Sequence, residues 1–138
     1  MDLKLFTVGQ VAKQANCKVE TVHYYEKIGL IPNPARTEGG HRQYNLDGVK
    51  RLNFIRQSRE LGFSIEQIRL LLKFVDEPNH LCGEVNSMVI EQTKIIDEKI
   101  NALKKLNLAL KQMSNQCDDT NNSIDQCPIV DALYNKYK

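Results

Sequence analysis

Val19-Glu20-Thr21-Val22-His23-Tyr24-Tyr25-Glu26-Lys27-Ile28-Gly29-Leu30-Ile31 reads as a short helix, Val19–Ile28, stopped by a glycine. Just upstream, Thr7 is a good N-cap for a helix over Val8–Ala15. Val8, Val11, Ala12 and Ala15 recur there at three- and four-residue spacing, on one face. Asn16-Cys17-Lys18 is a tight break between the two. Two helices joined by so few residues form a helix-turn-helix. Tyr24 and Tyr25 are adjacent and so point about 100° apart on a helix. One is expected to pack inward and the other to face outward.

Working outward, residues 30–44 carry Pro32, Pro34 and the Gly39-Gly40 pair and cannot be helix; they suit a two-stranded hairpin, a wing. Asn45 then caps a helix over Leu46–Leu61 that ends at Gly62. Ser64 caps a fourth over Ile65–Val75, with Glu66-Gln67 in its first turn. Pro78, within Asp76–Leu81, marks a boundary. After Cys82 a helical pattern runs to about Gln116. Val85, Met88, Val89, Gln92, Ile95/Ile96, Lys99/Ile100, Leu103, Leu106, Leu110 and Met113 recur with a mean spacing of about 3.5 residues. One apolar seam on so long a helix predicts a partner, most simply the same helix of a second copy. Asp118–Gln126 is expected as a polar loop, followed by a short helix opened by Pro128 and carrying Ile129, Val130, Leu133 and Tyr134. The expected class is mainly α: a winged helix-turn-helix head over residues 1–75, a hinge and coiled-coil dimerisation helix over 76–116, and a loop bracketed by Cys117 and Cys127, for which metal binding is expected on the cysteine chemistry set out below, with a short C-terminal helix over 117–138.

Composition narrows the functional classes. With 41% hydrophobic and 26% charged residues in 138, the chain is globular in character. Apolar runs such as Leu70–Leu72 are far too short to span a bilayer, and Met1–Phe6 has no signal-peptide character. A cytoplasmic protein without a membrane partner is therefore expected, its four cysteines held reduced. The net charge of +2 conceals a first half (residues 1–75) at +5 and a second half at −3. A basic head suits a polyanion, whose condensed counterions are released on binding. No enzyme is expected: Cys-x-x-Cys and His-Glu-x-x-His patterns are missing, and His23, His41 and His80 are scattered.

A winged helix-turn-helix lays its second helix in the major groove while the wing touches the backbone. The second helix offers Glu20, Thr21, His23, Tyr24 and Lys27, and the wing offers Arg36, Thr37, His41, Arg42 and Tyr44. Of these, together with Thr7, the expected DNA-contacting set is Thr7, Thr21, His23, Tyr24, Arg36, His41, Arg42 and Tyr44, donors suited to phosphates and base edges.

Cys82 opens the long helix and Cys117 and Cys127 bracket the loop beyond it. About 35 helical residues separate Cys82 from Cys117, roughly 50 Å. If two such helices pair antiparallel, Cys82 of one copy lies beside Cys117 and Cys127 of the other, forming two symmetric three-thiolate sites. Such a site is soft and selects Cd(II), Pb(II), Hg(II), Zn(II) or Cu(I) over Mg(II) or Ca(II). A cysteine at a helix N-terminus has a lowered pKa in general and binds metal more readily as thiolate. His80 is a candidate fourth ligand, with an exposed loop histidine the favoured alternative. Asp118, Asp119 and Asp125 are expected to hydrate the loop, and Cys17 to pack in the head.

Phe6-Thr-Val-Gly-Gln-Val-Ala, Val19 to Ile31, Arg42-Gln-Tyr and Leu61-Gly-Phe-Ser-Ile-Glu-Gln-Ile together resemble the MerR family of transcriptional regulators. The resemblance runs in order over the whole chain, with one departure: His23 stands where the family usually has arginine. It implies a homodimer on promoter DNA with an overlong spacer, repressing without metal. Bound metal would then distort the DNA so that RNA polymerase engages, at genes of export or detoxification. Cys82-Gly-Glu-Val-Asn and the additional Cys17 look most like the cadmium- and lead-responsive branch, implying Cd(II) or Pb(II) as effector. Hg(II) and Zn(II) are the alternatives, since the nine residues between Cys117 and Cys127 differ slightly from that branch. A thiol redox sensor is the reading from another class.

Overall fold

The computed structural model describes residues 4–134. Residues 1–3 of the N-terminal stretch, and residues 135–138 of the C-terminal segment, lie outside the described residues. The elements run α1 (Val8–Gln14), α2 (Val19–Lys27), β1 (Ala35–Arg36), β2 (Arg42–Gln43), α3 (Leu46–Glu60), α4 (Ile65–Asp76), α5 (Cys82–Asn115) and α6 (Pro128–Tyr134), with a 3-10 turn at Ile124–Gln126. Two compact units result, Met1–Met88 and Val89–Lys138.

Short polar side chains start the helices of the first unit. Thr7 Oγ1 accepts from the Gln10 N–H at 3.2 Å while Gln10 Oε1 accepts from the Thr7 N–H at 2.9 Å. Ser64 and Gln67 repeat this reciprocal box at the start of α4. Asn45 caps α3 through the Gly48 N–H at 2.9 Å. Each side chain satisfies backbone donors that the first turn leaves orphaned.

Helix exits follow one device three times. After α1, Asn16 takes φ 53° and the Cys17 N–H returns to the Ala12 carbonyl at 2.9 Å. After α2, Gly29 (φ 79°) lets the Leu30 N–H reach the Tyr25 carbonyl at 2.9 Å. After α3, Gly62 (φ 88°) lets the Phe63 N–H reach the Ser58 carbonyl at 3.1 Å. A left-handed residue is what the six-to-one bond requires. Leu30 and Phe63, the residues just beyond, are buried in the core.

That core is built on Val11, Val22, Leu30, Leu52, Ile55 and Ile68, all under 2% exposed. Val85 and Met88, in the first turns of α5, pack against it. The wing pairs β1 with β2 antiparallel, Ala35 opposite Gln43 and Arg36 opposite Arg42. Phe6 also bridges Tyr44, with backbone bonds of 2.7 and 2.8 Å in both directions. The N-terminal stretch thereby becomes a third partner of the wing, which the sequence pattern does not indicate.

In the second unit α5 continues, followed by the turn and α6. The segment expected as a polar loop, Asp118–Gln126, contains the Ile124–Gln126 turn; a Ser123–Asp125 side-chain bond and the Asp119 Oδ1 bond to the Asn121 N–H at 2.9 Å shape its approach. The seam of α5 is largely open: Leu103, Leu106 and Leu110 are each more than 60% exposed. Among the described residues, no helix is long and apolar enough to cross a membrane.

Candidate nucleic-acid interface and cysteine positions

The expected interface residues stand on α2, on the wing and, for Thr7, at the N-cap of α1. Tyr25 turns inward (8% exposed) and Tyr24 outward (51%), as the adjacent pair requires. Thr21 and His23 lie half-buried on the same helix. Opposite them, Arg36 folds over the wing tip, its Nη1 donating to the Gly40 carbonyl at 2.9 Å. The tip closes through Thr37, whose N–H bonds the His41 carbonyl at 2.8 Å and whose Oγ1 accepts from the His41 N–H at 3.2 Å.

Four expected contacts converge. Thr7, His23, His41 and Arg42 line one groove of about 230 Å³, with Val8 and Gly40 completing it. His23 Nε2 is buried there without a protein hydrogen-bond partner. An orphaned buried polar nitrogen is uncommon in folded proteins, because its desolvation goes uncompensated. A phosphate oxygen is the kind of acceptor such a groove suits.

Tyr44 has a different place from the one expected. It is 4% exposed, and its hydroxyl donates to Glu26 Oε1, so it is a core residue rather than an exposed wing donor. The same Glu26 accepts from Arg42 Nε at 3.0 Å through its other oxygen, and its side chain is only 7% exposed. Glu26 was missed because a charged residue on a polar helix reads as a solvated one. The available signal was spacing: Glu26 stands four residues after Val22 and one after Tyr25, on the inward face.

The cysteines are all free: Cys82 is exposed, and Cys17, Cys117 and Cys127 are half-buried. Cys17 packs against the core, where burial pushes its thiol above the ordinary 9.0 and the nearby Arg56 partly offsets this. Cys82 is the first residue of α5, while Cys117 and Cys127 follow that helix's end. Among the described residues of one chain, no three His, Cys, Asp or Glu side chains converge on a metal position. The donor set itself is soft, three thiols of the type that late and heavy cations prefer. His80 has Nδ1 against Glu84 at 3.1 Å and Nε2 against Glu77 at 3.2 Å, with its ring on Phe74 at 4.7 Å. Both nitrogens are occupied, so this histidine offers no open donor beside Cys82.

Comparison with known proteins agrees with this geometry. Residues 6–74 match the family model described as MerR HTH family regulatory protein, and residues 49–113 match the one described as MerR, DNA binding. The chain is 37% identical to a mercuric resistance operon regulatory protein of Bacillus cereus, over 95% of this chain and 98% of that protein. It is 36% identical to the HTH-type transcriptional regulator ZntR of Escherichia coli K12, over 94% and 92% of the respective chains. Among solved structures, the transcription regulator PbrR691 of Ralstonia metallidurans CH34, in complex with lead(II), superposes with a TM-score of 0.82 at 36% identity, covering 93% of this chain and 98% of that one.

Proposed function

The chain belongs to the MerR family of helix-turn-helix regulatory proteins, and from that premise we propose that it is a cytoplasmic, metal-responsive transcriptional regulator rather than an enzyme. Residues 1–75 bind promoter DNA, residues 76–116 form the hinge and an antiparallel coiled coil of a homodimer, and residues 117–138 form the metal loop. Thr7, Thr21, His23, Tyr24, Arg36, His41 and Arg42 face the DNA; Tyr44 supports them from within. The open seam of α5 supports the homodimer, because Leu103, Leu106 and Leu110 are each more than 60% exposed among the described residues.

The observation that carries the metal reading is the placing of three free thiols at the two ends of that helix, Cys82 at its first residue and Cys117 and Cys127 beyond its last. Antiparallel pairing unites them as Cys82 of one copy with Cys117 and Cys127 of the other. The ion supplies a soft acceptor for three sulfurs. The chain supplies the sulfurs and a loop already shaped by its own Asp119 and Asp125 bonds. Cd(II) or Pb(II) is the proposed effector, with Hg(II) and Zn(II) as alternatives. The relatives support this in kind: one is named for mercuric resistance and another was solved with lead(II). The effector acts by binding two DNA-bound states with different affinity, so that RNA polymerase engages the distorted promoter.

Competitive titration of the reduced protein with Cd(II), Pb(II), Hg(II) and Zn(II), followed by thiolate-to-metal charge-transfer absorption, tests the proposal. One ion per chain, lost in Cys82→Ser and in Cys127→Ser alike, is the expected result. Absence of a soft-metal response, together with DNA binding altered by mild peroxide, overturns it in favour of a redox sensor.

A further inference from the structure

The groove lined by Thr7, Val8, His23, Gly40, His41 and Arg42 contains no carboxylate, yet one stands directly behind it. Glu26 is held inside the head, accepting from the Tyr44 hydroxyl on one oxygen and from Arg42 Nε on the other. A guanidinium carries five donors in a planar fork. The bond to Glu26 uses the Nε edge, and the Nη groups of Arg42 have no protein partner among the described residues. The Arg42 side chain is 31% exposed and lines the groove, so it stays open to a ligand while Nε is held by Glu26. An acid this close to a DNA-facing cation weakens phosphate attraction in a simple count of charge. Its compensating effect is to remove rotamer freedom from a long side chain before binding.

Building on the DNA-binding role proposed above, we infer that Glu26 is a positioning residue: it grips Arg42 by one edge so that the other edge meets a single backbone phosphate seated in the groove. Tyr44 belongs to the same device, since its hydroxyl fixes the carboxylate that fixes the arginine. His23 and His41 flank the seat, and the orphaned His23 Nε2 lies at its wall.

The test is equilibrium binding of the full-length protein to a mixed-sequence DNA duplex, by fluorescence anisotropy over a range of potassium chloride concentrations. Thermal melting of each variant is measured alongside. Arg42→Ala is expected to lower the salt slope by about one ion. Glu26→Gln is expected to weaken binding about tenfold, the size of a lost charge-assisted bond. The deciding measurement is the double variant: in the Arg42→Ala background, Glu26→Gln is expected to cost nothing further. An equal loss in both backgrounds makes Glu26 a packing residue and overturns the inference, as does wild-type affinity in Glu26→Gln alone. Should Glu26→Gln melt below the assay temperature, Arg42→Lys decides. That variant keeps the charge and lacks the Nε bond, so it is expected to bind several-fold more weakly at an unchanged salt slope; binding equal to wild type overturns the inference. A wild-type protein that binds no duplex even at low salt overturns the DNA-binding role itself, whereas binding without Glu26–Arg42 coupling overturns only the positioning role.

Discussion

Single residues carry more of this head than their types advertise. Tyr44 illustrates it: an aromatic in a wing resembles a DNA contact, yet the Phe6 bridge and Glu26 draw it into the core. Tyr44→Phe removes a hydrogen bond to a buried carboxylate and is expected to lower stability by about 1.5–3 kcal/mol, read from denaturant midpoints. Cys17 and Cys82 make a contrasting pair. Burial raises the Cys17 thiol above its ordinary 9.0, so at any pH below that less of it is ionised than of an ordinary thiol. Its alkylation by iodoacetamide is therefore expected to trail that of the exposed Cys82 at pH 8 and to accelerate only as pH climbs through the raised value. Mass spectrometry of the peptides checks this, and comparable rates contradict it. Cys82→Ser is expected to abolish the metal response while duplex affinity stays within a few-fold of wild type; a complete loss of DNA binding contradicts the separation of the two roles.

Elements were the most legible level. Thr7, Asn45 and Ser64 announce three helix starts because a cap depends on a residue and its next three neighbours, all local in sequence. Gly29 and Gly62 announce two exits for the same reason. Gly29→Ala brings a Cβ only into ordinary contact with Arg69, at 3.7 Å, so its cost is conformational. A loss of about 1–2 kcal/mol, seen in chemical denaturation, is expected from the left-handed backbone alone. What stayed hidden was either non-local or too short to leave a pattern. The Phe6–Tyr44 bridge is a single pair separated by two helices, and no alternation of side chains marks it. The 3-10 turn before α6 is three residues long, shorter than any periodic signal. Glu26 was hidden for a third reason: its burial depends on Arg42 and Tyr44 arriving from the wing, which no window around α2 contains.

For the whole molecule, the long seam was legible from periodicity, and its exposure agrees with a face meant for another chain. Leu103→Glu places a charge in the middle of that face and is expected to yield monomers by sedimentation velocity. Intact dimers in that variant relocate the interface elsewhere. The proposed sulfur site follows the same logic, since residues at opposite ends of one helix become neighbours only through symmetry. The Glu26 anchorage carries a consequence at this scale too. A wing tied to the helix beside it behaves as a rigid caliper, with the gap between its jaws fixed before any duplex arrives. Strain needed to close a mismatch then falls on the double helix and not on the polypeptide. Sequences that bend or narrow easily will be favoured even at steps no side chain touches.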